Sequence, residues 1–281
     1  MKVICTEKTQ ILGSRVAEKL GAPLGEVRIS RFPDGELYLR ALDLDHETVI
    51  VSSLPDADSI IELLLLIDAC EGSEITLVIP YMGYARQDKR FNAGEPISIR
   101  AIATALSRGV DRILTVNIHE PEVLKYFGAD SENISIAPIV GEYLLSTGLQ
   151  NPLILAPDDG AWEFAKGVAA TSKWDCDHLD KTRISGEEVR IEPKHIGVEG
   201  RNVVIVDDII STGGTLATAA KLLASQGAAS VSATCVHGVF SNCGYARLIA
   251  AGISDIASSD TIERGCSRIS AAPSIAEALR R

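Results

Sequence analysis

The sequence lacks any long apolar segment and any paired cysteine motif. Of its 281 residues 46% are hydrophobic, yet no segment reaches the ~18 consecutive apolar residues of a membrane span. The chain is therefore expected to be globular and long enough to bury a sizeable core. Its six cysteines are scattered without a CxxC pair, which argues against a zinc or disulfide framework and favours reduced core thiols. Because Met1 leads directly into a strand-like run, no signal peptide is expected, and the predicted location is cytoplasmic.

The sequence also lacks an excess of basic residues. It contains 27 Lys and Arg against 38 Asp and Glu, a formal net charge of -11. This balance argues against a nucleic-acid partner, whose phosphates need a basic surface. A bound phosphate would have to be held locally, by backbone N–H groups, a few cations and a metal ion that the carboxylates attract.

The most informative stretch is a strand-like run followed by two acids and a small, hydroxyl-rich loop. Val203–Val206 is predicted to be a buried strand of a parallel sheet, ended by Asp207 and Asp208. The loop Ser211–Thr215 follows, and a helical pattern begins at Leu216. This order places N–H groups and a helix N-terminus where an anion binds. The loop lacks the GK[ST] ending of a P-loop NTPase; the alternative is an ordinary strand–helix turn with two solvated acids.

Strand and helix patterns alternate along the whole chain, which predicts an α/β fold with doubly wound parallel sheets. Two domains are expected, 1–140 and 141–281, with a closing helix at Ser274–Arg281 that packs back on the first. The predicted strands are Val3–Cys5, Thr48–Ser52, Ile75–Ile79, Ile113–Val116, Ile134–Ile136, Leu153–Leu155, Val203–Val206 and Val231–Val236. The predicted helices between them are Gln10–Leu20, Ser59–Cys70, Ser98–Ser107, Pro138–Ser146, Ala161–Ala170, Leu216–Gln226 and Cys243–Ala251.

Two polar stretches interrupt this alternation. Val27–Arg40 is short and rich in turn residues, which predicts a projecting hairpin. Its Phe32 would stack an adenine for roughly 1–3 kcal/mol, or else pack at an interface. Asp177–Ile191 is a charged segment without apolar anchors, which is typical of a functional lid or of a disordered loop. Its Lys181 and Arg183 are suited to phosphoryl-type transfer, or else lie on a solvated hairpin tip.

Further polar groups follow predicted strands. Asp158 and Asp159 come after Leu153–Leu155 and suit Mg²⁺, which prefers oxygen ligands; Asp159 has the alternative of capping the next helix. His119 follows another strand and is either a ligand at the same edge or a structural hydrogen-bonding histidine. Arg86 and Gln87 lie in a charged loop, where the guanidinium fits a polyphosphate and the amide fits a base or sugar; the alternative is a solvated charge run.

Together these motifs resemble the ribose-phosphate pyrophosphokinase family. The resemblance covers nearly the whole chain, and only the loop at 211–215 is shared with phosphoribosyltransferases. Its most specific marks are Tyr84–Lys89, Asn117–Glu120, Pro157–Gly160, the pair Lys181 and Arg183, and the loop at 211–215.

The resemblance implies two domains of the type I phosphoribosyltransferase kind and transfer of the diphosphoryl group of Mg-ATP to the C1 hydroxyl of ribose 5-phosphate, giving phosphoribosyl pyrophosphate and AMP. It also implies a homodimer or larger assembly, in which the hairpin binds the adenine of a neighbouring subunit, with no nucleic-acid or membrane partner. The implied site residues are Phe32, Asp34, Glu36, Arg86 and Gln87 for ATP; Arg183, Asp207, Asp208, Ser211, Thr212, Gly213, Gly214 and Thr215 for ribose 5-phosphate; His119 and Asp158 for Mg²⁺; and Lys181 and Arg183 for transition-state stabilisation.

Two positions and one segment depart from the family pattern. Asn117 stands where many members have Asp, which weakens any support for the metal, and Ser211 replaces a frequent acid. The segment after Asp88 has a short basic run, which resembles the archaeal branch and argues against control by ADP. The alternatives are a phosphoribosyltransferase, which would need a nucleobase pocket, and a non-catalytic relative, which would be expected to lose cations such as Lys181 and Arg183.

Overall fold

In the computed structural model the chain forms two compact units, and the structure describes residues 1–179, 181–183, 189–191 and 197–281. The first unit comprises Met1–Ile134, Asp260–Glu263 and Ser270–Arg281. The second comprises Ser135–Ser259 and Arg264–Ile269. The chain therefore leaves the first unit after Ile134, returns to it for Asp260–Glu263, and after Arg264–Ile269 returns to it again for the C-terminal segment.

Strands and helices alternate through both units. The strands are β1 (Lys2–Cys5), β2 (Val27–Arg31), β3 (Leu37–Ala41), β4 (Glu47–Val51), β5 (Glu74–Ile79), β6 (Arg112–Val116), β7 (Asp130–Ile134), β8 (Leu153–Ala156), β9 (Cys176–His178), β10 (Lys181–Arg183), β11 (Val189–Ile191), β12 (Asn202–Ile210), β13 (Ser230–Gly238), β14 (Ile256–Ser259) and β15 (Ser267–Ile269). The helices are α1 (Gln10–Leu20), α2 (Ala57–Ala69), α3 (Ser98–Leu106), α4 (Ala137–Ser146), α5 (Trp162–Ala170), α6 (Gly214–Ser225), α7 (Gly244–Ala250) and α8 (Ala272–Leu279). In the described ranges, no helix has the length and apolar character that a membrane crossing requires.

The first unit is built on a parallel sheet of order β1-β4-β5-β6-β7. Alternate strand residues point to opposite faces, so Ile4 and Ile50 pack with Leu63 of α2 in one core. On the other face α1 approaches closely, because a Cβ on its Gly13 would lie 2.6 Å from the Cβ of Cys5. The strands β2 and β3 pair separately as the predicted antiparallel hairpin.

The C-terminal helix α8 belongs to the first unit. It packs on α1, and the Arg280 guanidinium donates a hydrogen bond to the carbonyl oxygen of Lys19. The closing helix expected at Ser274–Arg281 is therefore α8, Ala272–Leu279, which is shifted by two residues toward the N-terminus.

The second unit contains a six-stranded parallel sheet of order β15-β14-β13-β12-β8-β9. The chain starts in β8, adds β9 on one side and then places β12 on the other. The strand order thus reverses between β8 and β12, and the crevice outside the carboxyl ends at such a point is the usual ligand site of an open α/β sheet. The two sheets confirm the predicted α/β class with parallel strands.

Two strand predictions were wrong. In place of the expected strand Ile134–Ile136 the structure has β7, Asp130–Ile134. It is an edge strand, and because its sequence is mostly polar, a search for apolar runs does not detect it. Asp207 and Asp208 do not end β12, which continues to Ile210 because the equally long β13 pairs with it up to Gly238. Three short strands, β9, β14 and β15, were not predicted at all, since each offers only three or four residues of pattern.

Candidate functional site

In the second unit, carboxylates from neighbouring strands meet at the switch point. Asp158 follows β8 and caps the short 3₁₀ helix Asp159–Ala161 by accepting a hydrogen bond from the N–H of Gly160 at 3.1 Å. Asp207 lies in the adjacent strand β12, and the charge of Asp158 acts on it. The capping role that the sequence left open for Asp159 thus belongs to Asp158.

Asp207 is unfavourable to ionise in this setting. Burial raises the pKa of its carboxyl well above the ordinary value of 3.8, and the charge and side-chain hydrogen bond of Asp208 and the charge of Asp158 raise it further. Asp207 Oδ1 accepts the N–H of Asp208 at 2.9 Å, and Asp208 Oδ1 accepts the N–H of Ile209 at 2.8 Å. A cation or sugar hydroxyl groups placed against this cluster would stabilise the charged form of its carboxylates.

Ser211–Gly213 connects β12 to α6 and ends in a left-handed glycine, while Gly214 and Thr215 of the predicted loop open α6, which begins two residues before the expected Leu216. Gly213 has φ +71° and is the residue before the first turn of α6. With no side chain, Gly213 leaves the first N–H groups of the helix available to a ligand. The helix dipole favours an anion there by about 0.3–1 kcal/mol, so the loop has the chemistry of a phosphate site.

Asp159 makes a different contact from its neighbour. Its Oδ1 lies 3.4 Å from Nε2 of His178, at the end of β9, and the His178 ring lies 5.1 Å from the Trp162 ring. Sequence reasoning missed His178, because β9 was not predicted and no motif marks it. The contact places Asp159 against β9.

In the first unit, the loop after β5 is shaped by close backbone packing. A Cβ on Gly83 would lie 2.1 Å from the carbonyl oxygen of Leu54, and Tyr84 has φ +63°. Arg86 is exposed, whereas Gln87 Oε1 accepts a hydrogen bond from the Ser98 hydroxyl at 2.6 Å. The loop therefore presents the Arg86 guanidinium to solvent and ties Gln87 to the start of α3.

His119 follows the neighbouring strand β6 and is exposed. Asn117 turns the chain there with φ +41°. The Asn133 Oδ1 atom accepts the N–H of Ile118 at 2.9 Å. Because β5 and β6 are adjacent and parallel, the loops carrying Arg86 and His119 leave the same edge of the sheet. The supporting Asn133 had no signal in the sequence.

The hairpin residues form their own exposed group. The β2–β3 turn is closed by hydrogen bonds from Phe32 N–H to the Glu36 carbonyl at 2.8 Å and from Gly35 N–H to the Phe32 carbonyl at 2.9 Å. Phe32 is 50% exposed and meets Tyr38 edge-on at 5.7 Å, and Asp34 and Glu36 are exposed beside it. An exposed ring flanked by carboxylates is suited to a base and its polar edge.

Lys181 and Arg183 lie in β10, which pairs antiparallel with β11 through Lys181 opposite Ile191 and Arg183 opposite Val189. Their side chains lie outside the described part of the structure, as do residues 180 and 184–188 of the predicted charged segment. Within the described part, no three or more His, Cys, Asp or Glu side chains form a group that would hold a metal ion on their own. A hard cation here would need substrate oxygens or water to complete its ligands.

Comparison with known proteins gives one consistent result. Residues 1–109 match the model of the N-terminal domain of ribose phosphate pyrophosphokinase, and residues 132–251 match the phosphoribosyl transferase domain. The chain is 49% identical to a ribose-phosphate pyrophosphokinase of Methanosarcina acetivorans over 100% of both chains, and 42% identical to one of Methanopyrus kandleri over 99% of this chain and 98% of that protein.

Among solved structures, the fold is similar to that of phosphoribosylpyrophosphate synthetase from Mycobacterium smegmatis. The TM-score is 0.85 at 26% identity, covering 99% of this chain and 97% of that chain. Together with the domain model matched at residues 132–251, this confirms the predicted fold.

Proposed function

We propose a reaction scheme from one premise: this chain belongs to the ribose-phosphate pyrophosphokinase family, and it is an enzyme that transfers the diphosphoryl group of ATP to the C1 hydroxyl of ribose 5-phosphate. The products are phosphoribosyl pyrophosphate and AMP. The observation that supports the assignment of residues is the loop Ser211–Thr215, in which left-handed Gly213 directly precedes α6 at the switch point of the second sheet.

Ribose 5-phosphate binds at this loop in the proposal. The N–H groups of Ser211–Thr215 and the N-terminus of α6 hold the 5-phosphate, with the hydroxyls of Ser211, Thr212 and Thr215 as further donors. Asp207 and Asp208 accept hydrogen bonds from the ribose hydroxyls, directly or through a metal. The raised pKa of Asp207 supports this role, because hydroxyl donors stabilise its charged form.

ATP binds with its phosphates at Arg86 and Gln87 and its adenine at the hairpin. The exposed Arg86 guanidinium forms bidentate contacts to phosphate oxygens. Phe32 stacks on the adenine, while Asp34 and Glu36 accept from its amino group or the ribose. In this scheme the chain self-associates, and the hairpin of one copy binds the adenine at the active site of a second copy.

The residues present fit a divalent cation. The charge of Asp158 makes the carboxyl of Asp207 harder to ionise, so a positive charge beside them is favourable. His119 and Asp158 would hold Mg²⁺, completed by phosphate oxygens and water. When bound, Mg²⁺ neutralises the polyphosphate and makes the β-phosphorus easier to attack.

In the transfer step, the C1 hydroxyl oxygen forms a bond to the β-phosphorus, and the bond from that phosphorus to the α,β-bridging oxygen breaks. AMP carries away the bridging oxygen with its electron pair, and the hydroxyl proton is lost to solvent or a nearby base. Lys181 and Arg183 stabilise the charge that develops on the transferred group and the leaving oxygen. Positioning and electrostatics are sufficient, without a covalent intermediate.

The test is AMP formation from Mg-ATP as a function of added ribose 5-phosphate, with both products identified by mass. One AMP and one phosphoribosyl pyrophosphate per ATP consumed is the expected result. ATP consumption that ignores ribose 5-phosphate, or ADP as the nucleotide product, would refute the reaction. The proposal also places the enzyme in the cytoplasm, where ATP is available, and fractionation of the source cells tests that part.

A further inference from the structure

Backbone strain is concentrated in one short segment beside the phosphate loop. Phe240, Asn242 and Cys243 have φ angles of +50°, +49° and +58°, a conformation that non-glycine residues rarely adopt. They lie between β13 and α7, in the segment Phe240–Arg247, called here the support segment. Strained residues persist only where the surrounding structure holds them, so contacts of the support segment with its neighbours must keep it in this conformation.

The support segment packs directly on the loop that we assign to ribose 5-phosphate. The N–H of Phe240 donates to the carbonyl oxygen of Ile210 at 3.0 Å, and the hydroxyls of Ser241 and Ser211 are 2.9 Å apart. A Cβ on Gly244 would lie 2.3 Å from the carbonyl oxygen of Ser211. The backbones of the support segment and of the loop are therefore so close at Gly244 that a residue with a side chain would not fit there.

Arg247 joins the two backbones from the first turn of α7. Its Nη1 donates to the carbonyl oxygen of Thr212, and its Nη2 lies 3.4 Å from the carbonyl oxygen of Asn242. One guanidinium thus links the loop to the strained segment. From the other side, a Cβ on Gly213 would lie 3.1 Å from the carbonyl oxygen of Gly244.

We propose that Arg247 and Ser241 are positioning residues, which hold Ser211–Gly213 in the conformation that binds the phosphate of the sugar. Both contact the protein and not the substrate in this assignment: Arg247 binds main-chain carbonyl oxygens, and the Ser241 hydroxyl meets the Ser211 hydroxyl. A loop with two consecutive glycines has many other conformations available. Fixing it in advance lowers the entropy lost on binding and so raises affinity. The inference rests on the proposed function of this loop.

The decisive variant is Arg247→Ala, compared with Arg268→Ala. Arg268 is also a surface arginine that donates to a main-chain carbonyl, that of Ile256 at 2.8 Å, but at the opening residue of β14 and thus the amino edge of the sheet. Loss of a carbonyl anchor by Arg247→Ala should raise KM for ribose 5-phosphate and the Kd for inorganic phosphate about tenfold. We expect kcat and KM for ATP to change less than about twofold, and Arg268→Ala to change neither substrate's KM.

Arg247→Gln separates positioning from direct phosphate binding. Glutamine keeps an amide donor for a carbonyl oxygen but removes the charge, so it should recover part of the lost affinity. Cys243 gives a second readout, because it is the exposed thiol among the cysteines in the described ranges. Its rate of reaction with a thiol reagent should rise in Arg247→Ala, in which the support segment has lost an anchor, and stay unchanged in Arg268→Ala.

The outcomes separate the inference from the function. If wild type binds ribose 5-phosphate and Arg247→Ala keeps its KM and Cys243 reactivity, the positioning role is wrong and the function stands. If Arg247→Gln is as weak as Arg247→Ala, the charge matters and Arg247 acts on the phosphate itself, which also overturns the inference. Should Arg247→Ala not fold, Ser241→Ala takes its place, with a smaller rise in KM of about threefold. If wild type binds neither ribose 5-phosphate nor phosphate, both proposals fall.

Discussion

Glu263 accepts a hydrogen bond from the backbone N–H of Leu12 at 3.0 Å, although 251 residues separate them along the chain. The same oxygen accepts the N–H of Ile11 at 2.9 Å, so Glu263 caps the first turn of α1. Thr9, the residue before α1, forms no such bond with its side chain within the described part of the chain. The short segment Asp260–Glu263 therefore completes the first unit, in which Asp260 also pairs with Arg15 at 2.6 Å.

The first prediction concerns the pH dependence of stability. Burial is the largest cause that raises the pKa of Glu263 above its ordinary value of 4.5, and the two N–H donors offset it only in part. The folded state thus binds this proton more tightly than the unfolded state. The contribution of Glu263 to stability is fully present below pH 4.5 and is lost as the pH rises through the raised pKa.

Glu263→Gln isolates this contribution, because the amide does not titrate. The free energy of unfolding of wild type minus that of the variant, measured by urea unfolding at several pH values, should fall as the pH rises above 4.5 and then level off. Glu277→Gln is the matched control, since Glu277 is exposed and pairs with Arg281 at 2.8 Å. A difference that rises with pH would contradict the sign argued for Glu263.

The second prediction concerns the left-handed glycine of the phosphate loop. Gly213→Ala meets both an unfavourable φ of +71° and a crowded space, with the Leu248 Cγ 3.1 Å from the new methyl. Affinity for ribose 5-phosphate should fall by about tenfold or more while ATP binding survives. The control is Gly200→Ala, which has a similar φ of +69° but no atom within 4 Å of the new methyl. Equal loss of both ligands in a folded Gly213→Ala protein would show that the loop does not serve the sugar phosphate alone.

Local pattern was enough to predict much of this structure. The bounds of α1, Gln10–Leu20, match the prediction, because a glycine that follows a helical pattern, here left-handed Gly21, marks the end of the helix. The strand–loop–helix order also predicted an anion-binding loop at 211–215, whereas the left-handed φ of Gly213 is seen only in the structure. Contacts between distant parts of the chain were not predictable: Asn133 holds the His119 loop from a neighbouring strand, and Glu263 caps α1 from the far end of the sequence. Neither leaves a periodic or spaced signal.

The third prediction concerns the metal. Asp158→Asn removes one of the carboxylates that act on Asp207, so the Mg²⁺ concentration giving half-maximal activity should rise about tenfold or more. Asp159→Asn is the control, because the neighbouring carboxylate contacts His178 instead. Activity is measured as a Mg²⁺ titration at fixed ATP. If both variants shift the titration equally, the metal is not held at Asp158 in particular.

The fourth prediction concerns the cations of β10. If Lys181 stabilises charge that develops only in the transition state, Lys181→Ala should lower kcat by about 10²–10³-fold and leave ATP affinity almost unchanged. Affinity is measured with a non-hydrolysable ATP analogue. The conservative Lys181→Arg keeps a cation and should recover part of the rate. Normal kcat with weak ATP binding would move Lys181 from the reaction to ground-state binding.

The last prediction is that two subunits share each active site. The hairpin carries Phe32, Asp34 and Glu36 exposed at its tip, with Phe32 half exposed as a large apolar side chain. We expect this exposed aromatic ring and its neighbouring carboxylates to bind the adenine of an ATP molecule held in the active site of a second copy of the chain. A symmetric dimer would place each hairpin over the strand edge of its partner.

Complementation tests this arrangement. Phe32→Ala/Glu36→Ala and Lys181→Ala/Arg183→Ala proteins should each be inactive, and they are mixed under conditions of subunit exchange. A mixed dimer contains one site in which all four residues are native. With half of the dimers mixed and one of two sites intact in each, roughly a quarter of wild-type activity should return. If native mass spectrometry detects mixed dimers and activity stays absent, adenine is bound by the same chain that carries the reacting cations.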